Sequence, residues 1–182
     1  MDLVDYYVTL RTKGDVKEIL KSIKTLLDAK KNNTHIKTTF QLSGQYDILL
    51  RISVETEGKL DDILSHIKSI KGVKRKSVKA HRIMFKKIHF TGEAPKAFLF
   101  INTKKNQQSE VFKYLSDYGG IYSIRAISQV EGPFEIIMEI CDSRHPIGDS
   151  RDIIDTVLST FDIVDENRNV LSTVTMFVLR CE

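Results

Sequence analysis

Two short segments of the sequence combine a turn glycine with an aromatic residue and a carboxylate, a set that can bind a small charged molecule. Backbone N–H groups at such turns bind carboxylates, and an acidic side chain can hold an ammonium group. We therefore expect ligand-binding residues at seven positions: Gly44, Gln45, Tyr46, Asp47, Gly132, Phe134 and Glu135.

The same residues also have structural explanations, which leave their role open. Glycine suits a hairpin turn, and a carboxylate at a strand end can bond to local backbone or to a lysine. Tyr46 and Phe134 equally suit a core or an interface. Pro133 and Glu135 leave open whether the second segment keeps a pocket.

Metal and catalytic patterns are absent from the sequence. No two histidines are four residues apart, no cysteine cluster occurs, and no GxSxG, P-loop or GxGxxG motif is present. We therefore expect no metal, no cofactor and no catalytic residue. If the chain were an enzyme, His81 and His145 would be the first residues to test.

Residues 71–87 form the most basic segment. They could bind phosphate groups, provide a lysine-rich strand edge that discourages pairing, or serve as a docking face. An RNA-binding RRM is disfavoured because neither third strand, 48–51 or 136–139, carries the required aromatic pattern. The basic residues are Lys71, Lys74, Arg75, Lys76, Lys79, Arg82, Lys86 and Lys87.

The two glycine segments lie 88 residues apart within a repeated order of elements. In the first half, strand patterns at 6–10, 36–42, 48–52 and 73–85 alternate with helical stripes at 16–27 and 60–70. Asp15 is placed to cap the first helix, and Gly72 to end the second. The order is β, α, β, β, α, β.

The second half repeats this order. Strand patterns occupy 97–101, 124–130, 134–140 and 170–179, and helical stripes occupy 111–118 and 153–161. Gly119 and Gly120 end the first of these helices, and an insert at 142–149 precedes the second. The strands 98–101, 136–138 and 176–179 do not alternate between apolar and polar residues, so we expect both of their faces to be buried.

These patterns predict an α+β fold made of two tandem ferredoxin-like βαββαβ units. Each unit has a four-stranded antiparallel sheet, and the two sheets pack face to face in the manner of a dimeric α/β-barrel. The predicted domains are 1–90 and 96–182, joined by a linker at 91–95 that contains glycine and proline.

Composition indicates a cytoplasmic protein without membrane segments. The longest apolar run, 97–101, is far too short for a membrane span, and the acidic start does not resemble a secretory signal. Cys141 and Cys181 give no disulfide framework. The net charge of +4 divides into +9 for residues 1–91 and −5 for residues 92–182, a contrast that can orient two halves or mark a docking face.

The segment 41–52, with Gly44, Tyr46 and Asp47, followed by a helix and Gly72-Val73, resembles the effector-binding (RAM) domain of the Lrp/AsnC transcription regulators. The resemblance covers residues 5–87 well and 96–180 more loosely. It implies a non-enzymatic module that binds a small effector, such as an amino acid, near the turn before the third strand.

The resemblance also implies assembly partners. The first strand begins near Tyr6, which leaves no space for the family's helix-turn-helix, so we expect no direct sequence-specific DNA binding. The expected partners are a small-molecule effector, an Lrp/AsnC-type regulator or another protein, and further copies of the chain in a homo-oligomer.

Two alternatives remain open. An ACT-type amino-acid regulatory domain has the same strand order and would bind its ligand at the turn 12–15, which includes Gly14. Paired ferredoxin-like sheets also host enzymes, namely haem proteins, cofactor-free monooxygenases and decarboxylases. Such an enzyme would need a histidine or an acid in a pocket.

Overall fold

Helices and strands follow the order β-α-β-β-α-β twice along the chain. The computed structural model describes residues 3–29, 34–89, 91, 94–118, 124–141 and 153–181. The elements are β1 (Val4–Leu10), α1 (Val16–Ala29), β2 (Thr34–Ser43), β3 (Ile48–Val54), α2 (Glu57–Ser69), β4 (Lys79–Ile88), β5 (Ala97–Thr103), α3 (Gln108–Tyr118), β6 (Ile124–Glu131), β7 (Ile136–Ile140), α4 (Ile153–Glu166) and β8 (Val170–Cys181).

The chain divides into two compact units. Unit 1 comprises Met1–Ile83 with Leu179–Glu182, and unit 2 comprises Met84–Val178. The division into independent domains 1–90 and 96–182 stays a prediction. The insert 142–149 with His145, the helix end at 119–120 and part of the linker 91–95 lie outside the described residues.

In unit 1 the helices cover one face of the sheet because their apolar stripes match its alternate residues. Ile23 and Leu27 on α1 and Ile63 on α2 are fully or almost fully buried and belong to one core with Val8 and Leu50 of the strands. Caps fix both helix starts. The Asp15 carboxylate accepts a hydrogen bond from the Lys17 N–H at 2.8 Å, and the Thr56 hydroxyl accepts one from Lys59.

The strand register of unit 1 decides which side chains turn away from the helices. β3 pairs antiparallel with β1 and with β2, and β1 pairs with β4. Since successive residues of a strand point to opposite faces, the helix-facing Tyr6, Val8 and Leu10 place Tyr7 and Thr9 on the other face.

Unit 2 buries both faces of its central strands. Leu99 and Ile101 of β5 pack with Val111 and Leu115 of α3 on the helix side. On the opposite face, Phe98 is also fully buried. The expectation that both strand faces are buried therefore holds for β5 and β7. It does not hold for β8, where Leu179 is 62% exposed.

The predicted fold class, two ferredoxin-like sheets of four strands packed face to face, is wrong. The eight strands form one closed barrel in the order β1-β3-β2-β8-β5-β7-β6-β4. Closure gives each of these strands two hydrogen-bonded neighbours, which removes the exposed edges of an open sheet. This closure explains the double burial of β5 and β7, since the inside of a barrel buries the second strand face.

A β-bulge interrupts the same strand of each unit. The register of β2 against β3 shifts between Ile36 and Thr38, which leaves Lys37 as the extra residue. The register of β6 against β7 shifts between Ile124 and Ala126, which leaves Arg125 as the extra residue. The two bulges are 88 residues apart, the spacing of the glycine segments.

The helices of the described chain are short compared with a membrane-spanning helix. Within the described part of the chain, no helix is both long enough and apolar enough to cross one. The cytoplasmic location stays a prediction.

Candidate functional site

The first glycine segment is tied to the end of β1 through Asp47. Its carboxylate accepts hydrogen bonds from the backbone N–H of Thr12 at 2.6 Å and from the Thr12 hydroxyl at 3.1 Å. The backbone N–H of Asp47 in turn donates to the carbonyl of Leu10 at 3.0 Å. Asp47 therefore holds the turn before β3 against the chain that leaves β1.

The second glycine segment repeats this network through Glu135. Its carboxylate accepts a hydrogen bond from the backbone N–H of Thr103 at 3.0 Å, and its own N–H donates to the carbonyl of Ile101 at 3.1 Å. Both acids thus bond to backbone. A further role of either carboxylate in holding a ligand ammonium stays a prediction.

The other predicted ligand residues divide by exposure. Gly44, Gln45 and Gly132 are exposed at the turns. Tyr46 and Phe134 are buried, and the Phe134 ring meets Phe100 edge-on with its centroid 5.2 Å away. The aromatic residues therefore contribute packing, and the exposed turn backbone is the part that a ligand could reach.

A row of three side chains with polar groups crosses the face of unit 1 that points away from the helices. Tyr7 on β1 lies opposite Arg51 on β3 and opposite His81 on β4. Directly opposed residues of an antiparallel pair share one face. The register therefore brings an imidazole, a phenol and a guanidinium together.

His81 is the buried end of this row. Its Nε2 lies 3.3 Å from the Thr9 hydroxyl, and no part of the residue is exposed. Burial, assisted by the charge of Lys79, lowers the pKa of His81 to about 4. The imidazole is therefore neutral at pH 7 and has a lone pair that can accept a proton.

Arg51 is the half-buried end of the row. Its guanidinium carbon lies 5.7 Å from the centre of the Tyr7 ring, within the range of a cation–π interaction. Two residues along the same strands, Asp5 lies opposite Ser53. The Asp5 carboxylate accepts hydrogen bonds from Ser53 and from Lys37. The face therefore combines one neutral base with a fixed positive charge.

Unit 2 carries a different row at the equivalent positions. Phe98 lies opposite Met176 and opposite Glu139, which stands 88 residues after Arg51. Glu139 is fully buried and accepts hydrogen bonds from Lys86, at 2.9 Å, and from Arg125. A buried carboxylate needs such partners to stay charged, so this cluster is a structural ion pair within an apolar row.

Sequence reasoning missed Tyr7, Arg51 and Glu139. A usable signal existed, because Arg51 and Glu139 are single charges inside apolar strands at matching positions of the repeat. An isolated charge in such a strand must either point to solvent or find a buried partner. His81 was predicted only as one of two histidines, with His145, to test first if the chain were an enzyme.

Unit 2 also contains a pocket of about 680 Å³ beside the second glycine segment. It is lined by Met84, Phe85, Thr103, Lys104, Lys105, Asn106, Gln108, Gln129, Val130, Glu131, Gly132, Glu135 and Leu171. A smaller pocket of about 360 Å³ surrounds Gly14 and Gly72 in unit 1. Two of the predicted ligand residues, Gly132 and Glu135, therefore line the larger pocket.

Comparisons with known proteins place the fold. The structure superposes on that of an anthrone oxidase-like protein with a TM-score of 0.59 at 12% sequence identity. The match covers 100% of this chain and 93% of the other chain. A mutant chlorite dismutase from Candidatus Nitrospira defluvii gives a TM-score of 0.61 at 11% identity, over 98% and 91% of the two chains. The same enzyme in complex with imidazole gives 0.61 at 8% identity, over 97% and 90%.

The fold is that of chlorite dismutase. Neither the protein-family models nor the curated proteins gave a match. The resemblance to the Lrp/AsnC effector-binding domain is therefore wrong, because the chlorite dismutase fold spans almost the whole chain. The Gly-x-Tyr-Asp motif has a structural explanation instead, because the Asp47 carboxylate at this turn accepts a hydrogen bond from the backbone N–H of Thr12.

Three further predictions depended on that resemblance and fall with it. The non-enzymatic effector module, the regulator partner and the role in transcription regulation are wrong, since the chains sharing the chlorite dismutase fold are an oxidase-like protein and an enzyme. An oligomer of this chain stays a prediction.

A haem protein was among the enzyme alternatives. The residues of this chain would then have to supply a binding site for haem. Haem iron needs an axial side chain, usually a histidine, at a cavity. Among the described residues, no histidine lines either of the two pockets. His81 is enclosed beside Thr9, and within the described ranges no cluster of three or more metal-binding side chains occurs. In neither of these two pockets is a described histidine placed to hold haem iron.

Proposed function

We propose that this chain is an oxidoreductase in which His81 acts as a general base. The observation that carries the proposal is the row of His81, Tyr7 and Arg51 on the face of unit 1 away from the helices. A neutral histidine with a guanidinium on the same face is an arrangement for removing a proton and stabilising the anion that results. Because His81 is fully buried, the proposal requires the strands around it to open for the substrate.

The fold neighbours support a substrate class. One of them is named as anthrone oxidase-like. An anthrone carries a methylene group between aromatic rings, whose proton becomes acidic because the ring system delocalises the charge onto a carbonyl oxygen. We propose an activated aromatic compound of this kind as the substrate. Its oxyanion suits Arg51, the half-buried member of the row.

The proposed reaction balances with dioxygen as the oxidant. His81 takes a proton from the methylene carbon, and Arg51 attracts the charge that develops on the carbonyl oxygen. The carbanion forms a C–O bond with dioxygen, and the proton on His81 returns to the peroxide. Loss of water then gives the ketone, so one methylene group and one dioxygen molecule become one carbonyl group and one water molecule.

The test is oxygen consumption with anthrone and with simple phenols, measured for the wild type, His81→Gln and Tyr7→Phe. We expect turnover of anthrone, with kcat lowered about 100-fold or more by His81→Gln. His66→Gln is the matched control, because His66 is an exposed histidine of the same unit. Near-wild-type circular dichroism of each variant separates loss of chemistry from loss of folding.

Two results would overturn the proposal. One is full activity in a folded His81→Gln protein. The other is a wild type that consumes no oxygen with any substrate of the panel, or does so only after haemin is added. In the active protein, kcat/KM should be flat from about pH 5 upwards, because a base with a pKa of about 4 is already deprotonated there.

A further inference from the structure

The larger pocket of unit 2 collects apolar side chains that the fold leaves uncovered. Phe85 is 60% exposed, Leu171 63% and Met84 47%, and all three line the pocket. Exposed large apolar groups gathered at one concave place mark a binding site rather than ordinary surface. These three residues are called the apolar wall below.

Polar and basic groups line the rest of the pocket. Lys104 and Lys105 are exposed and follow β5 directly. Gln129 is buried and its amide donates to the Ser109 hydroxyl at 3.3 Å, which fixes its orientation. The pocket is therefore amphipathic.

Two acids, Glu131 and Glu135, also line the pocket and oppose the charge of the lysines. Glu135 accepts a hydrogen bond from the backbone N–H of Thr103, which partly compensates its charge. Glu131 is exposed and solvated. The two lysines, adjacent in sequence, are the cations of the pocket wall, whereas the acids belong to the turn around Gly132.

We propose that this pocket binds a small amphipathic anion, an aromatic or aliphatic body with a carboxylate or sulfonate head. The body contacts the apolar wall, and the head pairs with Lys104 and Lys105. The volume of about 680 Å³ lies within the usual range of ligand sites. The site is separate from the His81 row and does not depend on the proposed oxidoreductase function.

The experiment is a fluorescence titration of the full chain with 1-anilinonaphthalene-8-sulfonate, which has an aromatic body and a sulfonate. We expect saturable binding of about one molecule per chain. Phe85→Ala should raise Kd about tenfold or more by removing part of the apolar wall. The double variant Lys104→Glu/Lys105→Glu should raise Kd similarly, and its effect should shrink at high salt because exposed charges are screened.

Matched controls keep the test specific. Leu158→Ala removes an exposed apolar residue of α4 outside the pocket, and Lys113→Glu reverses an exposed lysine on α3. Both should leave Kd unchanged. Binding that does not saturate, or that falls as much in the controls as in the pocket variants, would overturn the proposal.

A second copy of the chain is the competing occupant of the apolar wall. Sedimentation of the wild type and of Phe85→Asp distinguishes the two cases. If the wild type is a dimer that does not bind the probe, and Phe85→Asp makes it a monomer, another copy covers the wall and the proposal fails. A probe-binding wild type whose assembly state is unchanged by Phe85→Asp supports it. Activity with anthrone is measured separately, so failure here leaves the His81 proposal intact.

Discussion

The carboxylate of Asp47 accepts hydrogen bonds from both the backbone N–H and the hydroxyl of Thr12, which lies 35 residues earlier. Replacing Asp47 by alanine removes the acceptor of two part-buried donors. We expect a loss of about 1–3 kcal/mol in the free energy of unfolding, without any ligand present. Urea denaturation measures it.

Asp61→Ala is the control for this change, since Asp61 is an exposed acid of α2. Glu135→Ala should destabilise in the same way, because Glu135 makes the corresponding bond to Thr103. An Asp47→Ala protein as stable as the wild type would contradict the prediction, because it would show that the two hydrogen bonds to Thr12 do not stabilise the fold.

The pH dependence of stability follows from His81. Its pKa is about 4 when folded and 6.5 when unfolded, because burial and Lys79 disfavour the charged form. Between these values the unfolded chain binds a proton that the folded chain does not. Stability is therefore complete above about pH 6.5 and falls as the pH falls towards 4, by on the order of 3 kcal/mol in all.

Chemical denaturation at about pH 7, 6, 5 and 4.5 measures this slope. His81→Gln should flatten most of it, whereas His66→Gln should leave it unchanged. Burial also lowers the pKa of His89, assisted by Lys87, so a small slope of the same sign should remain in His81→Gln. An equally steep slope in His81→Gln would contradict the assignment of the pH dependence to this residue.

The buried ion pairs of Glu139 in unit 2 give a further prediction for stability. Glu139→Ala leaves Lys86 and Arg125 near each other without the carboxylate that both contact. Breaking one side of a buried ion pair commonly costs about 3–5 kcal/mol. Thermal unfolding should therefore show a large drop in Tm, of several degrees or more. Glu131→Ala, at an exposed acid nearby in sequence, should change Tm little; equal Tm values would contradict the prediction.

Two glycines of unit 1 form a matched pair. Both have positive φ, +122° at Gly14 and +92° at Gly72. A methyl group on Gly14 would meet nothing within 4 Å, whereas on Gly72 it would lie 2.8 Å from Ile19 Cδ1 and 3.0 Å from the Lys13 carbonyl. Gly72→Ala should therefore cost about 1–3 kcal/mol more than Gly14→Ala in urea denaturation. Equal losses would show that backbone strain alone matters.

Local structure was accessible from the sequence because its causes are local. The stripe of Val16, Ile19, Ile23 and Leu27 has the period of a helix, and α1 begins at Val16 directly after its Asp15 cap. The closure of the barrel has no such local cause. It depends on which strand edges pair across long stretches of chain, and strand periodicity is the same for an open sheet and a closed one.

The candidate site could be predicted only in part, for a related reason. Asp47 and Glu135 were found because they sit near glycines in a visible motif, although their bonds to Thr12 and Thr103 join segments more than 30 residues apart and were not predicted. The row of His81, Tyr7 and Arg51 joins three strands from separate parts of the sequence. Its members become neighbours only once the register is known, so no spacing along the chain reveals them.

The shared bulge bears on the ancestry of the chain. An extra residue at the same point of the same strand in both halves is most simply explained by one insertion that was present before the sequence was duplicated. Lys37 and Arg125 then descend from a single position. That position has kept a positive charge in both copies, while the carboxylate that it bonds has diverged, being Asp5 on β1 in one copy and Glu139 on β7 in the other.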